Sequence, residues 1–449
     1  MQKKMQNNTL TIAEWQEFDL SYIRRHCVKN AENAFNELCK FASKNPKVLD
    51  FSGKDKLKAQ NFVGLIQTKS GFYLEILPKI AKSDKIADKC ECGEILQADI
   101  NEKGIEKFVD SILNVESQMY IAECESRLKC GHCKARAVLL NCLSTLRDMW
   151  FLKVGDAYLK TAEIPLLEVF INAFLEELSA LLVRGLKHDY IVEFKNSNFL
   201  RGKLECARNI KENFIHKERF FIASDEFSSN IAANRLIKST LMRLKRWNLG
   251  TKTSVRLNKM RFNFDAINES KNIEADFKAA QIRGYERILA WCELLLKDSG
   301  IMNSSGDFGG FSLLFDMNLL FESYVTHYFK KFAKDFKISA QNSEKCLIFS
   351  NSKENFRIRP DLIVESKGEK IIIDTKWKNL DSSSYFKNEL QKDLYQIYAY
   401  AATHKAQKAI LVYPLINELK NLKSNDLAQK VWQFKANNVK IIFRLFPLF

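Results

Sequence analysis

Between Arg357 and Lys378 the chain reads RIRPDLIVESKGEKIIIDTKWK, two β-branched apolar runs on either side of a turn-forming segment. β-Branched runs separated by Ser-Lys-Gly specify an antiparallel hairpin, and the period of two then decides which residues share a face. With the turn centred between Lys367 and Gly368, residues whose numbers sum to 735 face one another. Asp361 then opposes Asp374, Ile363 opposes Ile372, and Arg359 opposes Lys376, all on one face. Strand interiors disfavour Asp and seldom bury Lys, so the pattern needs either solvent or a shared purpose.

Directly opposed carboxylates have Cβ atoms roughly 4.5–5.5 Å apart and repel unless a positive charge lies between them. A divalent cation removes that conflict. Mg²⁺ takes hard oxygen ligands at roughly 2.0–2.1 Å and keeps several waters, so Asp361, Asp374 and a backbone carbonyl are expected to hold it with positions left for water and phosphate. Lys376, two residues past Asp374, points to the same side. Its ammonium is suited to orienting or deprotonating an attacking water, or to stabilising charge on a phosphorane-like transition state. The plainer alternative is a solvated polar face of a two-stranded ribbon.

Composition favours a polyanion as partner, because the 449 residues carry a formal net charge of +16 with 28% charged side chains. A hydrophobic content of 46% suffices for two or three domains with real cores. The longest apolar stretch, Ile164 to Val183, is interrupted by Glu168, Glu176 and Glu177 and predicts a buried helix, so no membrane partner is expected. The first residues, MQKKMQNNTLTIAEWQEF, lack an apolar signal core, which predicts a cytoplasmic protein whose eleven cysteines stay reduced.

The expected fold class is α/β, a multidomain α+β chain. Phe62–Gln67 and Phe72–Leu77 flank Lys69-Ser70-Gly71 as a hairpin, and residues 137–247 carry apolar residues at helical spacing and are expected to be mostly α. The Gly- and Ser-rich segment IMNSSGDFGGF near residue 300 is the expected linker, dividing a 1–300 region from a compact α/β unit over 301–449. Within the first region, residues 82–136 form a polar, cysteine-bearing insertion. Cys90-x-Cys92 and Cys130-Gly-His132-Cys133 suit a tetrahedral structural Zn²⁺, with Cys124 and His132 as competing ligands and four metal-free thiols as the alternative. Cys27, Cys39, Cys142, Cys206, Cys292 and Cys346 are expected to pack as small hydrophobes.

The spacing of RPDLIV and DTK resembles the PD-(D/E)xK nuclease motif. Upstream, FDMNLLFESYVTHYFKKF sets Asn318 and Glu322 on one helix face and Phe321, Val325, Tyr328 and Phe332 on another. The resemblance implies that Glu322 supplements the metal site. Downstream, KDLYQIYAYA places Asp393, Gln396 and Tyr400 at i, i+3 and i+7, and it resembles the QxxxY helix of some of these nucleases, which implies a place for Gln396 and Tyr400 beside the active site. The strands AILVYP and VKIIFRLFPLF would complete an α-β-β-β-α-β core.

These motifs in this order resemble the McrC family, the nuclease subunit of modification-dependent, 5-methylcytosine restriction systems of the McrBC type. NFVGLIQTKSGFYLEILPKI, PLLEVFINAFLEELSALLVRGLKHDYI and FLRGKL extend the resemblance over most of the chain except 82–136. The resemblance implies an N-terminal part that engages a McrB-like AAA+ GTPase hexamer and a C-terminal domain that cuts modified DNA with Mg²⁺. No Walker A sequence is present, so a nucleotide-driven motor would be a separate subunit. Two other classes stay open from the residues alone: a DNA- and GTPase-binding adaptor that does not cut, and a stand-alone repair nuclease.

Overall fold

A computed structural model describes residues 8–26, 30–80, 102–113, 130–146, 166–247, 249–296, 311–350, 353–366, 368–378, 384–416 and 431–448. The chain divides into two compact units, one formed by residues 1–166 with 300–449 and the other by 167–299. The architecture is mixed α/β with several separate sheets.

The N-terminal part of the first unit contains β1 (Thr9–Ala13), β2 (Glu17–Asp19), α1 (Leu20–His26), α2 (Ala31–Lys44), β3 (Leu49–Phe51), β4 (Lys56–Ala59), β5 (Phe62–Gln67) and β6 (Tyr73–Leu77). The hairpin expected from the sequence is β5–β6, antiparallel with Gly64 opposite Ile76 and Gln67 opposite Tyr73. Every residue of both strands is buried, which fits their mostly apolar sequences, Gln67 and Glu75 excepted: β6 also pairs with β1, and β5 with a strand from much later in the chain. Two helices follow, α3 (Glu102–Leu113) and α4 (Gly131–Thr145).

The second unit starts with the apolar helix α5 (Leu166–Arg184) and continues through β7 (Asp189–Ser197), β8 (Lys203–Leu204), α6 (Cys206–Glu212), β9 (Phe220–Ser228), α7 (Ala232–Lys245), α8 (Thr251–Arg261), α9 (Ile273–Ala279) and α10 (Glu286–Leu296). The described middle is mostly helical, as expected, but it also carries one sheet. β7, β9 and β8 form a three-stranded sheet in that order, and nearly all of β7 is exposed, so the strand has no buried stripe for sequence periodicity to report. Gly202 of the Arg-Gly segment has φ +83°, and a Cβ there would lie 2.3 Å from the Ala223 carbonyl oxygen, so the close approach of β8 to β9 requires glycine. Among the described residues no helix is long and apolar enough to cross a membrane.

The chain re-enters the first unit at β10 (Phe311–Asp316), which pairs antiparallel with β5 and completes the order β1-β6-β5-β10. Gly64 makes this possible, because a Cβ there would meet the Leu313 carbonyl oxygen at 2.0 Å. From β10 the chain passes into α11 (Met317–Phe332), then β11 (Lys337–Ala340), the hairpin β12 (Cys346–Ser350) and β13 (Lys353–Arg357), β14 (Leu362–Ser366), β15 (Glu369–Thr375), α12 (Ser384–His404), β16 (Lys408–Pro414), β17 (Val431–Gln433) and β18 (Lys440–Phe446). Six strands form one sheet in the order β11-β14-β15-β16-β18-β17. The α-β-β-β-α-β succession is α11, β11, β14, β15, α12, β16, with β15 and β16 parallel across the α12 crossover.

Both faces of this sheet are covered. Ile363, Ile372, Leu411, Tyr413 and Phe443 pack with Ile397 and Ala401 of α12. On the opposite face the Phe446 ring meets Phe321, Tyr324 and Tyr328 of α11 and Phe108 of α3, with centroids 5.0–6.3 Å apart. Of the isolated cysteines, Cys142, Cys292 and Cys346 are buried and Cys39 is partly buried, as expected, whereas Cys206 is exposed at the start of α6; Cys27 lies outside the described residues.

Candidate active site at the β14–β15 edge

The β14–β15 ladder has the expected register: Leu362 opposes Ile373, Ile363 opposes Ile372, and Ser366 opposes Glu369 beside Gly368 at φ +85°. Strand parity therefore turns Asp374 and Lys376 toward α12 and Thr375 and Trp377 toward α11, and Asp361 lies just before β14. One detail differs from the sequence expectation. The ladder ends at Leu362, and Arg359 does not pair with Lys376; its guanidinium instead donates to Gln341 Oε1, while the Lys376 backbone N–H donates to Val412 O at 2.8 Å.

Asp374 is 1% exposed, and its Oδ2 lies 2.6 Å from Lys376 Nζ. The ammonium donates to Gln396 Oε1 at 2.9 Å, and Gln396 Nε2 donates to Tyr400 Oη at 2.7 Å. Asp361 is held differently: its Oδ2 accepts from both the backbone N–H and the hydroxyl of Thr375, each at 2.7 Å. Glu322 reaches the same region from α11, with Gln341 Nε2 donating to its Oε1 at 2.6 Å. The fold thus brings Glu322, Asp361, Asp374, Lys376, Gln396 and Tyr400 together. Asn318 does not join them: its backbone and side-chain N–H groups both donate to Asp316 Oδ1, the cap of α11.

The electrostatics record an unresolved conflict. Burial, reinforced by the charge of Asp361, raises the Asp374 carboxyl to about 7. Burial and then Asp361 likewise raise Glu322 to about 7. Asp361 is also raised by burial, although its two Thr375 hydrogen bonds act in the opposite direction. Burial works against the charge on Lys376, yet Asp374 outweighs it and the net shift is upward. Asp361 acts on both other carboxyls and Asp374 on Glu322; Lys376 offsets this at Asp361 and Asp374, and Arg359 at Asp361 and Glu322. Among the described residues no three His, Cys, Asp or Glu side chains already converge as a metal cage. The Lys376 ammonium supplies the positive charge beside Asp374 in this arrangement.

Sequence reading missed several supporting groups. Thr375 sits inside the DTK motif, but nothing in the motif shows that it clamps Asp361. Gln341, at φ +50°, has no sequence signal at all. Asp393 is 4% exposed and accepts from Lys378 Nζ at 2.9 Å and Tyr413 Oη at 3.0 Å, fastening the exit of β15 to α12 and β16.

Of the cysteine motif, only its second half is described. Cys130 caps α4, with its Sγ accepting from the Cys133 backbone N–H at 3.3 Å, and Cys133 is buried. Cys90, Cys92 and Cys124 lie outside the described residues.

Residues 57–414 match the family described as "McrBC 5-methylcytosine restriction system component". A chain of the refined half-complex from the tetradecameric assembly of Thermococcus gammatolerans McrB AAA+ hexamers with bound McrC has a similar fold, with a TM-score of 0.60 at 18% identity over 98% of this chain and 94% of that one. A chain of the Thermococcus gammatolerans McrBC complex aligns over 72% of this chain and 87% of that one, at 19% identity and a TM-score of 0.43. No curated protein sequence matches.

Proposed function

Because the chain belongs to the family of McrBC 5-methylcytosine restriction system components, we propose that it is the subunit that cuts DNA, a Mg²⁺-dependent endonuclease acting while docked on a McrB-like AAA+ GTPase ring. The observation that carries this reading is the crowding of Glu322, Asp361 and Asp374, with Lys376 paired to Asp374 at the end of β15, in the motif order of a PD-(D/E)xK nuclease core. A protein with no use for a cation would gain stability by replacing one of these buried carboxyls.

Asp361 and Asp374 are the groups to hold Mg²⁺, with Glu322 beside them; all are hard oxygen donors, as that ion requires. When bound, the ion supplies Lewis-acid polarisation of the phosphate. Lys376, anchored by Gln396, then orients a water or stabilises charge on the phosphate, and Tyr400 holds Gln396. All six groups fall within residues 301–449, the segment assigned to cutting.

The partner reading rests on the second unit. Tyr190, Val192, Phe194 and Phe227 of the β7–β9 pair are each more than half exposed, as are Phe214 and Ile215 after α6. Arg208 lies 5.3 Å from the Phe194 ring. So large an apolar and basic surface is suited to docking. The Thermococcus gammatolerans assembly joins McrC to AAA+ hexamers, and we assign this surface to the equivalent ring.

The test is cleavage of methylated and unmethylated plasmid by the chain with its motor, GTP and Mg²⁺. Asp374→Ala and Lys376→Ala should each abolish cutting while stimulation of GTP hydrolysis persists. Normal cutting by both variants would remove the nuclease reading in favour of an adaptor. Modification-selective cutting by the chain alone without nucleotide would favour a stand-alone enzyme.

A further inference from the structure

Three consecutive residues at the exit of β15 alternate between opposite supports. Lys376 is held by Gln396 and Lys378 by Asp393, both on α12. Trp377, between them, points the other way, and its indole Nε1 donates to Glu14 Oε2 at 2.9 Å. The Trp377 ring also lies 5.4 Å from that of Phe321, the residue before Glu322.

Glu14 follows β1 and is 1% exposed. Its Oε2 accepts a second hydrogen bond from the Lys79 backbone N–H at 2.9 Å, while Oε1 has no partner among the described residues. The charged groups near it are Asp316, at the cap of α11, and Lys79. Leaving a buried carboxylate oxygen unpaired is costly, and a residue retained only for packing would be apolar. What Glu14 supplies that an apolar residue lacks is an acceptor for Trp377.

A neighbouring contact ties the same sheet to the other half of the site. Asn61, just before β5, accepts from the Met317 backbone N–H at 3.0 Å and donates to Asp316 Oδ1 at 3.1 Å, fixing the start of the helix that carries Glu322. The N-terminal sheet therefore grips both elements of the candidate site, α11 through Asn61 and the β15 exit through Glu14.

We propose that Glu14 is a positioning residue for DNA cleavage: by holding the Trp377 indole it fixes the backbone from which Lys376 meets Asp374, so that the N-terminal sheet sets the geometry of the cutting site. The proposal rests on the nuclease reading above. Freed of Glu14, the strand exit keeps its two α12 anchors and the Phe321 ring contact but loses the hydrogen bond that opposes those anchors, and Lys376 gains room to swing away from Asp374.

The test uses the full chain with its GTPase partner and compares Glu14→Leu, Glu14→Gln, Trp377→Phe and the Glu14→Leu/Trp377→Phe pair, with Asp374→Ala as the dead control. Glu14→Leu and Trp377→Phe should lower kcat roughly ten- to a hundredfold, because small misplacement of a catalytic group has effects of that size. KM for DNA and stimulation of GTP hydrolysis should stay near wild type. Glu14→Gln keeps an acceptor oxygen and should restore most of kcat. The double variant should be no slower than the worse single one, since both remove one bond. Trp377→Phe cutting at the wild-type rate while Asp374→Ala is dead overturns the positioning role alone, even where Glu14→Leu fails to fold. Wild-type cutting by Asp374→Ala overturns the nuclease reading itself.

Discussion

Replacing Asp374 by asparagine separates the structural cost of this carboxylate from its use. A carboxyl moved from its ordinary value of 3.8 to about 7 is disfavoured in its ionised form by up to about 4 kcal/mol. The sign follows from the upward direction. Stability is fully present below 3.8, where the group is protonated folded or unfolded, and is lost as pH rises through about 7. Asparagine removes that loss, but it also deprives the partly buried Lys376 of the anion that holds its charge in place. The two effects oppose, and the net expectation is a gain of about 1–2 kcal/mol for Asp374→Asn at pH 8 in EDTA, shrinking toward zero at pH 5. For a chain of this size that is a rise of about 1–2 °C in melting temperature. Calorimetric melts of wild type and variant at the two pH values, with EDTA or Mg²⁺, give the comparison. Mg²⁺ should raise the wild-type midpoint at pH 8 and leave the variant's unchanged. A variant less stable than wild type at pH 8 in EDTA would refute the reasoning, because the Lys376 pair would then outweigh the buried repulsion.

The cysteine insertion should carry about one zinc per chain, lost in Cys130→Ser; metal analysis of natively prepared protein that finds none removes the site. Phe194→Asp, on the exposed strand β7, should weaken stimulation of the partner's GTP hydrolysis at least tenfold without moving the melting temperature. A fragment beginning near Ser304 should lack a cooperative melt, because β10 is buried against β5, which the fragment does not contain; a well-dispersed NMR spectrum of the fragment would contradict this.

Much of the candidate site was legible because its residues obey short-range rules. The register of β14 and β15 follows from two β-branched runs and a Lys-Gly turn, and it sets the facing of Asp361 and Asp374 without any long-range information. The facing of Gln396 and Tyr400 follows from helical spacing in the same way. What the sequence could not reveal is where those faces find partners. Thr375 on Asp361, Gln341 on Glu322 and Asp393 on Lys378 are contacts between segments whose meeting is decided by tertiary packing. The lost pairing of Arg359 with Lys376 has the same origin, since Gln341 captures the guanidinium and β16 captures the Lys376 backbone.

The segment around residue 300 illustrates the limit at the level of the fold. Gly, Ser and Asn there disfavour regular structure and favour a linker; the compact units are 167–299 and 1–166 with 300–449. Local composition cannot say where the chain goes next. It goes back: β10 joins the N-terminal sheet beside β5 before the chain enters α11, and Gly64 is the one residue in β5 whose missing Cβ admits it. The helix bearing Glu322 is therefore built directly onto a strand of the N-terminal sheet, and the lysine bearing the proposed chemistry is flanked by a tryptophan held from that same sheet. If the proposed cutting site is assembled this way, its geometry depends on Glu14 and Asn61, far away in sequence, and the N-terminal sheet acts as part of its scaffold.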